Sequence, residues 1–153
     1  MGDRVKAFLH MRLPVMTPLC QFRLSEYSEQ VKEIPVGDTA STEATVSRYF
    51  TAWTGRDTAT VRDLLADDFS FAGLGMQIEG REAFLDAGTF PSDARTRLVA
   101  QACQGSEAFQ MYDSTRGEAS VRIVEHLRLE DGKITTSTFV TDSAAFMAFL
   151  GRM

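Results

Sequence analysis

Ala119-Ser120-Val121-Arg122-Ile123-Val124-Glu125-His126-Leu127-Arg128-Leu129, running on into Glu130-Asp131-Gly132-Lys133-Ile134, alternates like a strand that shows one face to a core. Ala119, Val121, Ile123, Glu125, Leu127 and Leu129 share one face, and Ser120, Arg122, His126 and Arg128 fall on the other. Glu125 is the exception in an otherwise apolar row. A carboxylate there loses most of its hydration, so it needs hydrogen-bonding partners or a proton. Such groups often mark functional pockets, although structural networks perturb carboxylates as well. Asp131-Gly132 is a hairpin signal that turns this strand into the next, Lys133–Thr141.

Working outward, Arg97–Gln104 and Glu107–Asp113 read as further strands, divided by Gly105-Ser106 and set off by Arg116-Gly117 from the first strand, Glu118–Leu129. Asp142-Ser143 caps a closing helix with Phe146, Phe149 and Leu150 on one side. Upstream, Ser41-Thr42-Glu43-Ala44 opens a helix on which Val46, Tyr49, Phe50 and Trp53 recur at helical spacing, and Gly55 ends it. Asp57 or Thr58 caps a second helix with Val61, Leu64 and Leu65, and Gly80-Arg81-Glu82-Ala83-Phe84-Leu85 starts a third. Between them lie a short strand, Phe69–Ala72, and a flexible Gly73-Leu74-Gly75. Helices first and antiparallel strands afterwards describe an α+β domain.

The chain has 153 residues, 44% of them hydrophobic, which suits one globular domain. Its net charge of -5 argues against nucleic acid as the main partner, because phosphate binding requires clustered Lys and Arg. Two cysteines, Cys20 and Cys103, make neither a disulfide framework nor a zinc site, and Cys103 reads as a small core residue. No metal or cofactor is expected. No apolar run approaches the roughly 20 residues that span a bilayer, so the expectation is a cytoplasmic protein without membrane contact. Residues 1–40 differ in character. Met1–Leu24 carries Arg4, Lys6, Arg12 and Arg23 against a single acid, Asp3, and is broken by Pro14 and Pro18. They are expected to be an extension, either flexible or shortened by a later translation start at Met11 or Met16, with the domain proper at 41–153.

Two strings carry a family resemblance. One is Tyr49-Phe50-Thr51-Ala52-Trp53-Thr54-Gly55-Arg56-Asp57 with Leu64-Leu65-Ala66-Asp67-Asp68-Phe69; the other is Val124 to Ile134. With Gly80-Arg81-Glu82-Ala83 between them, the chain resembles the nuclear-transport-factor-2-like superfamily, in its SnoaL-like and ketosteroid-isomerase-like branches, over about residues 43–150. The resemblance implies a cone: N-terminal helices packed in a strongly bent, mostly antiparallel sheet, with a pocket at the open end and a homodimer through the outer sheet face. It also implies that Glu125 and Tyr49 match the two hydrogen-bond donors of the isomerases' oxyanion hole. The isomerases' general base would fall at Gly73, and glycine cannot move a proton, so that mechanism is not expected here.

The residues expected to line the pocket are Trp53, Phe69, Phe71, Met76, Phe84, Met111, Ile123 and Phe139, with Leu74 and Phe90 as further apolar candidates. His126 is out of phase with Glu125 and should face away from it. Asp113 and Asp142 are the remaining carboxylates from which a base could come. Three functions fit this pattern: an isomerase-, cyclase- or hydrolase-type enzyme on a small apolar molecule, a non-catalytic binder of such a molecule, and a dimeric interaction module.

Overall fold

A computed structural model describes residues 38–88 and 90–151. The elements run α1 (Thr39–Gly55), α2 (Thr58–Leu64), β1 (Leu65–Gly73), β2 (Met76–Glu79), α3 (Arg81–Asp86), β3 (Arg95–Gln104), β4 (Glu107–Arg116), β5 (Ala119–Glu130), β6 (Lys133–Thr141) and α4 (Ser143–Leu150). The expected extension lies outside the described residues except for its last three. Asp38 caps α1 by accepting from Ala40 N, so the helix begins before Ser41. At the other end Gly55 is still helical, and Arg56 takes the left-handed conformation at φ 60°. Its guanidinium donates to the Pro91 carbonyl at 2.8 Å.

Thr42, Val46, Tyr49 and Ala52 form the buried stripe of α1. The helix is tied to the β3–β4 turn by Thr42 Oγ1, which donates to the Gly105 carbonyl at 2.7 Å, and by Gly105 N–H, which donates to Thr39 Oγ1 at 3.0 Å. Gln110 Nε2 adds a bond to the Val46 carbonyl at 3.1 Å. These polar ties fix how α1 lies across the sheet, and hence where Tyr49 points. Asp57 caps α2 and Asp142 caps α4 through its bond from Ala145 N, as the sequence indicates.

One mixed sheet has the order β2-β1-β6-β5-β4-β3. All neighbours are antiparallel except β1 and β6, which pair in parallel with one helix and four strands between them in the chain. Strand β2 is not evident from sequence; Leu74 (φ 55°) and Gly75 (φ 73°) form the two-residue turn that folds it onto β1. Asp131 (φ 48°) and Gly132 (φ 75°) form the expected hairpin turn between β5 and β6. Register shifts interrupt the ladders between Leu65 and Ser70, Leu98 and Ala100, and Arg128 and Leu129. Such irregularities bend and twist a sheet, and this one stays open at its edges. The architecture is the α+β cone. No helix among the described residues is long and apolar enough to cross a membrane.

Candidate functional site

Glu125 sits mid-strand on β5, opposite Gln110 of β4 and Phe139 of β6, on the face that α1 covers. Only 5% of it is exposed. Three hydroxyls converge on its carboxyl. Ser137 Oγ donates to Oε1 at 2.6 Å, Tyr49 Oη to Oε1 at 3.3 Å, and Tyr112 Oη to Oε2 at 3.2 Å. Burial pushes the carboxyl up from its ordinary range, and the bonds from Ser137, Tyr112 and Tyr49 pull the other way. No cation contributes to that balance, which is why burial prevails. Burial, reinforced by the Glu125 charge, also lifts both phenols well above the ordinary tyrosine value.

A chain of ring contacts runs from Tyr49 round to Tyr112. Trp53 lies 6.3 Å from Tyr49 and stacks on Phe84 at 5.0 Å. Phe84 meets Phe69 at 4.9 Å and Phe71 at 5.4 Å; Phe71 continues to Phe139 at 5.9 Å, and Phe139 to Phe146 at 5.4 Å. Phe90 closes the circuit with Phe146, Phe149 and Tyr112 at 6.3, 5.6 and 6.4 Å. Two small voids flank Trp53. One of about 10 Å³ touches Ala52, Trp53, Arg56, Thr58, Val61 and Leu85, and one of about 20 Å³ touches Trp53, Thr54, Arg56, Phe90, Ala94 and Thr96. Each has room for about one water molecule. A larger cavity of about 320 Å³ touches Phe71 and Ser137 together with His126, Arg128 and Thr136.

Of the residues expected to line a pocket, Phe69, Phe71, Phe84, Ile123 and Phe139 are buried in one cluster with Tyr49, and Trp53 packs against it. Two lie elsewhere. Met76 is 53% exposed on the edge strand β2. Met111 pairs with Val124 and alternates with buried Tyr112, so it belongs to the opposite face of the sheet. The reason is the phase of β4: its inward row is Ala108, Gln110, Tyr112 and Ser114, and the more apolar Phe109 and Met111 point outward. Apolarity alone therefore selects the wrong face of this strand, and Tyr112 goes unnoticed. Pairing β4 with the well-phased β5 across Arg116-Gly117 is the signal that finds it. Ser137 is hidden among Thr135, Thr136 and Thr138; its phase with Phe139 is the only hint.

The other candidate groups are occupied away from Glu125. Asp113 accepts from Arg122 at 2.7 Å and pairs with Arg97 at 3.2 Å, and those arginines hold it below the ordinary carboxylate range. Asp142 is the cap of α4. His126 stacks on Phe109 at 4.4 Å and meets Glu107 at 3.3 Å, on the face opposite Glu125. Burial, with Glu43 nearby, raises the Cys103 thiol. A side chain at Gly73 has no space: a Cβ there would lie 2.7 Å from Phe139 Cβ and 2.9 Å from its carbonyl oxygen. Among the described residues, no group of three or more His, Cys, Asp or Glu side chains is placed to hold a metal ion.

Known structures share this arrangement of elements. A candidate ketosteroid isomerase from Kribbella flavida DSM 17836 is 25% identical, with 69% of this chain and 81% of that one covered and a TM-score of 0.66. A candidate SnoaL-like polyketide cyclase from Jannaschia sp. CCS1 is 16% identical, with 78% and 96% covered and a TM-score of 0.65. An epoxide hydrolase of the LEH-like kind from M. tuberculosis is 18% identical, with 74% and 92% covered and a TM-score of 0.59. The last two likenesses are of fold alone. No curated protein matches the chain. The family model of the SnoaL-like domain matches residues 46–137, more than half of the chain. This chain belongs to the SnoaL-like domain family.

Proposed function

We propose that the cone binds a small apolar molecule and that Glu125 and Tyr49 hydrogen-bond an oxygen of it. The observation that carries this reading is one carboxyl, almost wholly buried, held by hydroxyls, two of them at the ends of a chain of aromatic rings. Packed core needs no carboxyl at its middle, and burying one is costly. Aromatic walls suit a flat guest, and the few polar groups set its orientation. In an enzyme of isomerase, cyclase or hydrolase type, these donors would stabilise negative charge developing on the guest's oxygen. The crowding of Gly73 by Phe139 speaks against a base carried at that position. Trp53, Phe69, Phe71, Phe84, Ile123 and Phe139 form the wall of the site in this reading, and residues 1–40 are an extension to it.

The experiment uses Trp53, the single tryptophan of the chain, as reporter. Titration with 2-acetonaphthone, a flat aromatic ketone, is expected to change its fluorescence saturably. Tyr49→Phe should weaken binding about fivefold, the range for one hydrogen bond, and Glu125→Gln should retain part of the affinity because the amide keeps a donor. A saturable signal with equal affinity in wild type, Tyr49→Phe and Glu125→Ala would refute the assignment. A structural role for Glu125 has its own signature: a lower melting temperature in Glu125→Gln with ketone affinity unchanged.

A further inference from the structure

Two of the three hydroxyls on Glu125 have no part in the reading above, and their geometry separates them. The Ser137–Glu125 bond, at 2.6 Å, is at the short end of the O–H···O range. The phenol bonds, at 3.3 Å from Tyr49 and 3.2 Å from Tyr112, exceed the usual O–H···O range. Ser137 also shares a rigid frame with its partner. It lies on β6, which is paired along its length with β5, and Leu127, two residues from Glu125, is its register partner. Tyr49, by contrast, reaches in from α1, and Tyr112 sits on β4, which pairs with β5 along its length and places Tyr112 opposite Ile123. The Ser137 and Tyr112 bonds thus both lie within hairpins of β5, and what separates them is bond length and the longer reach of the phenol side chain.

We propose that Ser137 is the positioning residue that anchors the Glu125 carboxyl, and that Tyr112 joins Tyr49 as a second phenol that turns from the carboxyl to the guest's oxygen. The proposal deepens the ligand reading and rests on it. It also narrows the ligand class. Both groups free to change partner are O–H donors, and each phenol has one proton to give. The guest must therefore present an acceptor, a carbonyl or phenolate oxygen, to both at once. An amine or other cation would instead seek Glu125 itself. A flat carbonyl compound fits the two phenols and the aromatic wall together. The titratable groups that face Glu125 are these same phenols, from α1 and β4, and β6 contributes Ser137 and the register partner Phe139.

Two readouts on the full chain test the proposal. Carbon-13 NMR follows the titration of the labelled Glu125 carboxyl without ligand. Loss of a donor to the carboxylate favours the protonated form, so Ser137→Ala should raise the midpoint by about one pH unit. Ser137→Thr, which keeps the hydroxyl, should return it. Infrared spectroscopy then follows the carbonyl stretch of bound 2-acetonaphthone. Tyr112→Phe should move the stretch back toward its free value and weaken binding about fivefold. A folded Ser137→Ala protein with an unchanged midpoint overturns the anchoring role. Wild-type stretch and affinity in Tyr112→Phe overturn the phenol role. If Ser137→Ala shifts the midpoint and wild type binds no ketone, the ligand reading fails and the phenol role falls with it, while the anchor stands.

Discussion

Glu125 was marked by phase alone: a carboxylate in register with five apolar neighbours on one strand face. Its partners were not marked in the same way. Tyr49 entered through family resemblance, whereas Tyr112 and Ser137 required the register of β4 and β6 on β5. A carboxyl surrounded by hydroxyls and no cation has a definite consequence for stability. Unfolded, Glu125 gives up its proton near the ordinary value of about 4.3. Folded, burial holds the proton to higher pH. Between those values the native state binds more protons than the unfolded state, so stability falls as pH rises. The contribution is full below the unfolded value and is lost as pH climbs through the folded one. Glu125→Gln removes it. Melting curves from about pH 4 to 8 should therefore show wild type losing ground steadily to the glutamine variant. A difference independent of pH, or one that grows in favour of wild type, would contradict this account.

Among the elements, those announced by local chemistry were readable. Asp131-Gly132, Asp57 and Asp142 set a turn and two helix starts by capping and backbone preference, and all three act as expected. Strand β2 was not readable, because Met76–Glu79 is four residues long and has no apolar alternation of its own; only pairing with β1 makes it a strand. The face of β4 was misleading because its outward side chains, Phe109 and Met111, are the more apolar. The parallel neighbours β1 and β6 supply a test at this scale. Gly73 faces Phe139 so closely that one methyl group would collide with its Cβ and carbonyl oxygen. Gly73→Ala should lower the unfolding free energy by about 1–3 kcal/mol, the usual cost of overpacking. Chemical denaturation with an unchanged midpoint would show that the β1–β6 contact is looser than described.

At the scale of the whole molecule, the sheet has one face filled by helices and another with little cover among the described residues. On that outer face Phe109 is 49% and Val140 61% exposed, and Met111, Val124 and Val140 form a continuous row across β4, β5 and β6. Exposed apolar rows of this kind mark association surfaces, and we propose that a second copy covers this one. Sedimentation should give twice the chain mass, and Val140→Glu should give a monomer; a wild-type monomer would refute the pairing. The inner face carries the central claim, that the aromatic rings part to admit a ligand whose oxygen meets the hydroxyl-bound carboxyl. A crystal structure of the full chain with 2-acetonaphthone tests it most directly. The account predicts displaced rings at Trp53 or Phe90 and the ketone oxygen about 3 Å from Tyr49 Oη. A ketone bound only on the outer sheet face, with the rings undisplaced, would contradict it.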